Sequence, residues 1–140
     1  MEIEYAFLAD AAQVSEGKLY VLGGGFNRIW ARSFPITHPS MSVVVKINLH
    51  HMEWDRPHRF EIELWDPDGK RMAQMAGDIA ASAEPGKPAR PGNAQLVLNI
   101  QNQQFSTPGD YAFYIAIDGH HLKTLPLYLE QLNQPGAEGQ

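Results

Sequence analysis

The chain has 140 residues, 44% of them apolar and 19% charged, which suits one globular domain and excludes an intrinsically disordered one. A formal net charge of −5, with Lys and Arg scattered, leaves no basic patch for nucleic acid and no polybasic membrane anchor. With no cysteine, disulfides, thiolate nucleophiles and Cys-based zinc or iron–sulfur sites are ruled out.

The first residues, "MEIEYAFLADA", carry acids where a signal peptide needs positive charge, and no apolar run approaches ~20 residues. A soluble cytoplasmic protein is the expectation. From here the apolar pattern has period two. Ile3, Tyr5 and Phe7 alternate with Glu2, Glu4 and Ala6, and Leu19 and Val21 mark a second short strand. Next comes "VLGGGFNRIW", residues 21–30. A dinucleotide loop needs G-x-G-x-x-G before a helix, and a phosphate loop needs Gly-Lys-Ser/Thr; neither is present. Gly23, Gly24 and Gly25 are therefore expected to be structural, a bulge or a sharp bend where the chain changes sheets.

Val43, Val45, Ile47 and Leu49 form the next strand. The stretch "HHMEWDRPH" then gathers His50, His51, Glu53, Asp55 and His58, which a loop could fold around a metal ion. The plainer expectation is a polar connection. Phe60, Ile62 and Leu64 alternate with Glu61, Glu63 and Trp65, and Asp66-Pro-Asp-Gly69 reads as a turn rather than a calcium site. Residues 71–81 fit either a helix or a strand, and the preceding turn favours the strand. Residues 82–92, "SAEPGKPARPG", are expected to form a long exposed loop. Leu96, Leu98 and Ile100, then Tyr111, Phe113, Ile115 and Ile117, then Leu125, Leu127 and Leu129 give the remaining strands, with Asp118-Gly119 as a hairpin turn beside His120-His121. Pro126 suggests an edge strand. Residues 1–130 read as one domain and residues 131–140 as a disordered tail.

Two resemblances follow from these residues. "TPGDYAFYIAIDG" places Tyr111 after a Pro-Gly corner at the start of a strong strand, and resembles the tyrosine corner of immunoglobulin-like sandwiches, best over residues 58 to 130. It implies a fold and no activity. "ADAAQVSEGKLYVLGGG" with "DRPHRFEIELWDPDGK" resembles a family of small uncharacterised bacterial proteins with no assigned activity. The expected architecture is all-β, a two-sheet antiparallel immunoglobulin-like sandwich of about seven to nine strands.

None of the serines lies in G-x-S-x-G, and adjacent His pairs on a strand point to opposite faces. The informative anomaly is aromatic. Trp65, Tyr114 and Tyr128 fall on outward positions, with small Ala112 and Ala116 beside Tyr114, where a soluble strand should be polar. Exposed, such a patch marks an interaction surface, with Trp and Tyr as typical anchors; covered by a loop such as residues 82–92, the same three rings form a satellite core. The expectation is a non-enzymatic protein–protein module without cofactor, contacting a protein partner or a second copy through that face. The alternative is a small-ligand or metal-binding module using His50, His51, Asp55 and His58.

Overall fold

The computed structural model describes residues 1–53, 56–79 and 92–132. Its strands are β1 (Glu2–Ala9), β2 (Ala11–Ser15), β3 (Lys18–Leu22), β4 (Arg28–Ala31), β5 (Ile36–Leu49), β6 (His58–Trp65), β7 (Arg71–Ile79), β8 (Gly92–Phe105), β9 (Gly109–Ile117) and β10 (His120–Gln131), with a 3-10 turn at His51–Glu53. They form a three-stranded sheet in the order β1-β5-β8, a five-stranded sheet in the order β4-β10-β9-β6-β7, and the small hairpin β2-β3. The two larger sheets enclose one core, in which Leu8, Val43, Val45 and Ile47 join Ile62, Leu64, Phe113, Ile115 and Leu127. The chain is thus an all-β sandwich. Its strands number ten among the described residues, more than expected, because β2 and β4 are too short to show a period. The sheets are not purely antiparallel: β4 runs parallel to β10.

Residues 71–79 form a strand, not a helix. β5 is buried on both faces from Met41 to Val45, and the reason is the hairpin. Strand β2 packs against β5 and β8, covering the outer face of the three-stranded sheet, so Ser42 and Val44 stay at 1% exposure although they point away from the core. β1 departs from strict alternation. A register shift between Ile3 and Tyr5 puts Ile3 inward with Ala6 and Leu8, and turns Tyr5 and Phe7 to the outer face. Pairing these three on one face was a misreading, since a bulge inverts the side-chain period beyond it.

The glycine run is the bend by which the chain leaves the hairpin and reaches the other sheet. Gly23 and Gly25 have φ of 63° and 88°. The Asp10 amide donates to the Leu22 carbonyl and the Gly25 amide to the Leu8 carbonyl, at 3.0 and 2.7 Å, pinning the bend to β1. A Cβ on Gly24 would lie 2.7 Å from Val21 and 3.3 Å from the Phe7 ring, so only glycine lets the hairpin close onto Phe7. Asp66 builds the next turn by accepting from the Asp68 and Lys70 amides through one carboxylate oxygen. Tyr111 is 3% exposed and donates to the Thr107 carbonyl at 2.7 Å, fastening the corner ahead of β9.

Two readings need correction. Gln131 is not tail: it extends β10 and pairs with Ala31. β10 is not a sheet edge, because β4 flanks it, but β4 pairing begins only at Tyr128, so Pro126 occupies the part where no amide is needed. The expected loop 82–92 lies outside the described residues except for Gly92, which opens β8, as do residues 133–140 of the expected tail.

Candidate protein-contact face

Alternation decides which side chains face out. β6 sends His58, Phe60, Ile62 and Leu64 inward and Glu61, Glu63 and Trp65 outward. β9 buries Tyr111, Phe113, Ile115 and Ile117 and presents Ala112, Tyr114 and Ala116. β10 buries Leu125, Leu127 and Leu129 and presents Pro126, Tyr128 and Glu130. These strands are neighbours in the order β10-β9-β6. Register sets Trp65 and Pro126 on either side of Ala112, sets Glu63 and Thr124 on either side of Tyr114, and puts Tyr128 beside Asp110. Ala112 and Pro126 are therefore a low floor between Tyr128 and the Trp65–Tyr114 pair. Those two rings meet edge to face, their centroids 6.0 Å apart. The Trp65 indole N–H is buried with no acceptor among the described residues.

Three further side chains belong to this face and escape the period-two pattern. β4 lies beside the end of β10 and adds Arg28 next to Tyr128 and Trp30 next to Glu130. The Arg28 guanidinium lies 5.7 Å from the centre of the Tyr128 ring, and Trp30 donates to Glu130 at 3.0 Å while remaining 56% exposed. The signal was present in Arg28-Ile29-Trp30, with apolar Ile29 inward, but no pattern in four residues says which sheet receives it. His121 is the third: its ring stands 5.8 Å from that of Tyr114. It lies just past the Asp118-Gly119 turn, exposed, as the second residue of β10.

Three ion pairs lie in the plane of this face: Arg28 pairs with Glu130 at 3.1 Å, Arg71 with Glu63 at 2.8 Å and Arg59 with Glu61 at 3.3 Å. The result is an apolar centre inside a polar rim. That is how contact surfaces are built, with aromatic anchors ringed by polar groups that exclude water.

The residues of the metal alternative are arranged differently. His58 is 1% exposed, and both its ring nitrogens are engaged. Nδ1–H donates to Asp118 at 2.6 Å and Nε2–H to the Glu53 carbonyl at 2.7 Å. Both partners only accept, so this histidine carries two protons and a positive charge. The Asp118 bond, aided by the Glu53 carbonyl, raises its pKa above the ordinary value despite burial. The same bond from His58, with the Arg59 amide, holds the Asp118 carboxyl below its usual range. Burial pushes Glu53 up, but the His50 amide and the N-terminal ammonium outweigh it, and the carboxyl lies low. Met1 reaches Glu53 at 3.0 Å. The cluster thus ties the chain start, the 3-10 turn, β6 and the β9–β10 turn together. His50 contributes its backbone amide to that turn. The His51 side chain and Asp55 lie outside the described residues. Among the described residues no three His, Cys, Asp or Glu side chains converge to hold a metal ion. Among the described residues no helix is long and apolar enough to cross a membrane.

Against this geometry the comparisons can be set. The chain belongs to a family of unknown function, DUF6941, whose profile matches residues 4–130. No curated relative matches it.

Proposed function

We propose that this protein works by binding another protein surface through the outer face of the five-stranded sheet, without chemistry of its own. The observation that supports this is the arrangement of Trp65, Tyr114 and Tyr128 on three adjacent strands around Ala112 and Pro126, with three ion pairs at the rim. A rigid sheet loses little conformational freedom on docking, and Trp and Tyr bring large contact areas through few rotatable bonds. The partner is a protein, either another polypeptide or a second copy, and the setting is a soluble one, the cytoplasm.

The test is co-purification from the source cell with wild type and with Trp65→Ser/Tyr114→Ser, each partner quantified per mole of bait. The expected result is a stoichiometric companion for the wild type, reduced about tenfold or more in the double variant, as the loss of two anchors implies. Equal recovery in both would overturn the assignment.

A further inference from the structure

The three-stranded sheet ends on β8, and β8 is unlike the other sheet edges. An edge strand offers a row of free N–H and C=O groups to any other chain, and proteins blunt it with charge, proline, bulges or brevity. β4 is four residues long. β7 carries Arg71 and Asp78 and is interrupted by Gly77. β1 carries Glu2 and Glu4, has a register shift, and bonds Gly25 through Leu8. β8 runs 14 residues, "GNAQLVLNIQNQQF", with no charged residue and no proline. Its one backbone irregularity is Asn102, with φ of 55°, which leaves residues 93–101 as a straight edge.

The core side of β8 tells the same story independently. Leu96, Leu98 and Ile100 lie opposite Val45, Val43 and Met41 of β5. The β5 residues are at 0% exposure, while the β8 residues are only half-buried. Three strands face five, and among the described residues nothing covers the far side of this row.

We propose that β8 is the pairing edge for a second copy of this chain. Two β8 strands meet antiparallel about a two-fold axis through Val97, joining two three-stranded sheets into one. A strand paired with its own copy satisfies two-fold symmetry, because each residue i meets a residue j that meets i in return. Centred on Val97, the pairing sets Asn93 opposite Gln101 and Leu96 beside Leu98, completing burial of the exposed apolar row. An uncharged edge is what self-pairing requires, since identical strands would otherwise oppose like charges. β8 belongs to the sheet opposite the aromatic face, so this proposal does not rest on that one.

The test is light scattering on a sizing column, over a wide concentration range, with the full chain. Wild type is expected to reach dimer mass. Asn93→Lys/Gln101→Lys sets lysine against lysine at both ends of the seam and should weaken the dimer roughly tenfold. Asn93→Lys/Gln101→Glu sets opposite charges face to face and should keep it. Both positions are exposed, so the fold is unaffected, which thermal unfolding checks. A wild type that is monomeric at every concentration overturns the proposal. So does a Lys/Glu variant that dissociates as readily as Lys/Lys, or a dimer lost in Trp65→Ser/Tyr114→Ser but intact in Lys/Lys.

Discussion

The outer faces of the two large sheets carry similar side chains and meet opposite fates. On the three-stranded sheet Tyr5, Phe7 and Val44 point away from the core, and the β2–β3 hairpin packs on that side, leaving Val44 at 1% exposure. On the five-stranded sheet Trp65, Tyr114 and Tyr128 point away from the core, and Tyr114 is 37% exposed. Outward-pointing apolar residues therefore mean two different things in one molecule. Where a local hairpin can fold back, they are a satellite core that stabilises. Where none does among the described residues, Tyr114 stays exposed while Trp65 and Tyr128 are half-buried. The glycine bend makes the difference, because it is what returns the hairpin to Phe7.

The comparison breaks most severely at the bend. Gly24→Ala puts a methyl 2.7 Å from Val21, and overpacking there should cost roughly 1–3 kcal/mol and loosen the hairpin. Urea unfolding together with amide exchange of β2 and β3 would show it; an unchanged midpoint with full protection would mean the hairpin is not docked as described. Next in size is a matched pair. Val44→Ala removes buried methyls and should cost about 2 kcal/mol, whereas Tyr114→Ala, at a side chain 37% exposed, should cost under about 1 kcal/mol. Equal costs by denaturant titration would mean that both faces are covered.

The third prediction concerns pH. His58 has a folded pKa above the ordinary 6.5, so its stabilisation is complete below that pH and disappears as pH rises through the raised value. Asp118 has a folded pKa below 3.8, so its share is complete above 3.8 and disappears as pH falls through the lowered value. The denaturation midpoint should therefore fall as pH rises above 6.5 through the raised His58 pKa, and Asp118→Asn should flatten that limb. A midpoint that climbs with pH there, or an alkaline limb unchanged in Asp118→Asn, would contradict a doubly protonated His58. The smallest effect belongs to the rim. Arg71→Gln breaks an exposed pair with Glu63 and should change stability by no more than about 0.5 kcal/mol, fading further in salt.

Much of this was legible in the sequence, for physical reasons. Period two made Phe60, Ile62 and Leu64, or Phe113 and Ile115, unmistakable as inward rows, and Asp66 and Asp118 announced their turns. The face of Trp65, Tyr114 and Tyr128 was readable because alternation alone fixes outwardness on long strands. Tyr5 and Phe7 were misread because a bulge leaves no mark in composition. Trp30 went unplaced because the partner of a four-residue strand depends on tertiary pairing. The cover over Val44 was equally hidden, though the three successive valines 43–45 break the period-two pattern. His58 looked like a ligand candidate because sequence shows neighbours such as His50 and Glu53, whereas its true partner, Asp118, comes from another turn.

The central proposal is that the outer aromatic face of the five-stranded sheet is where this protein meets its partner. It is tested most directly by placing a photo-crosslinking amino acid at Ala112, on the floor between the rings, and at Gln13, on the exposed side of the hairpin, in the source cell. The account predicts a discrete adduct from position 112 that weakens sharply when Tyr114 is also changed to Ser, with little from position 13. Equal labelling from the two positions, or an adduct at 112 indifferent to Tyr114→Ser, would contradict it.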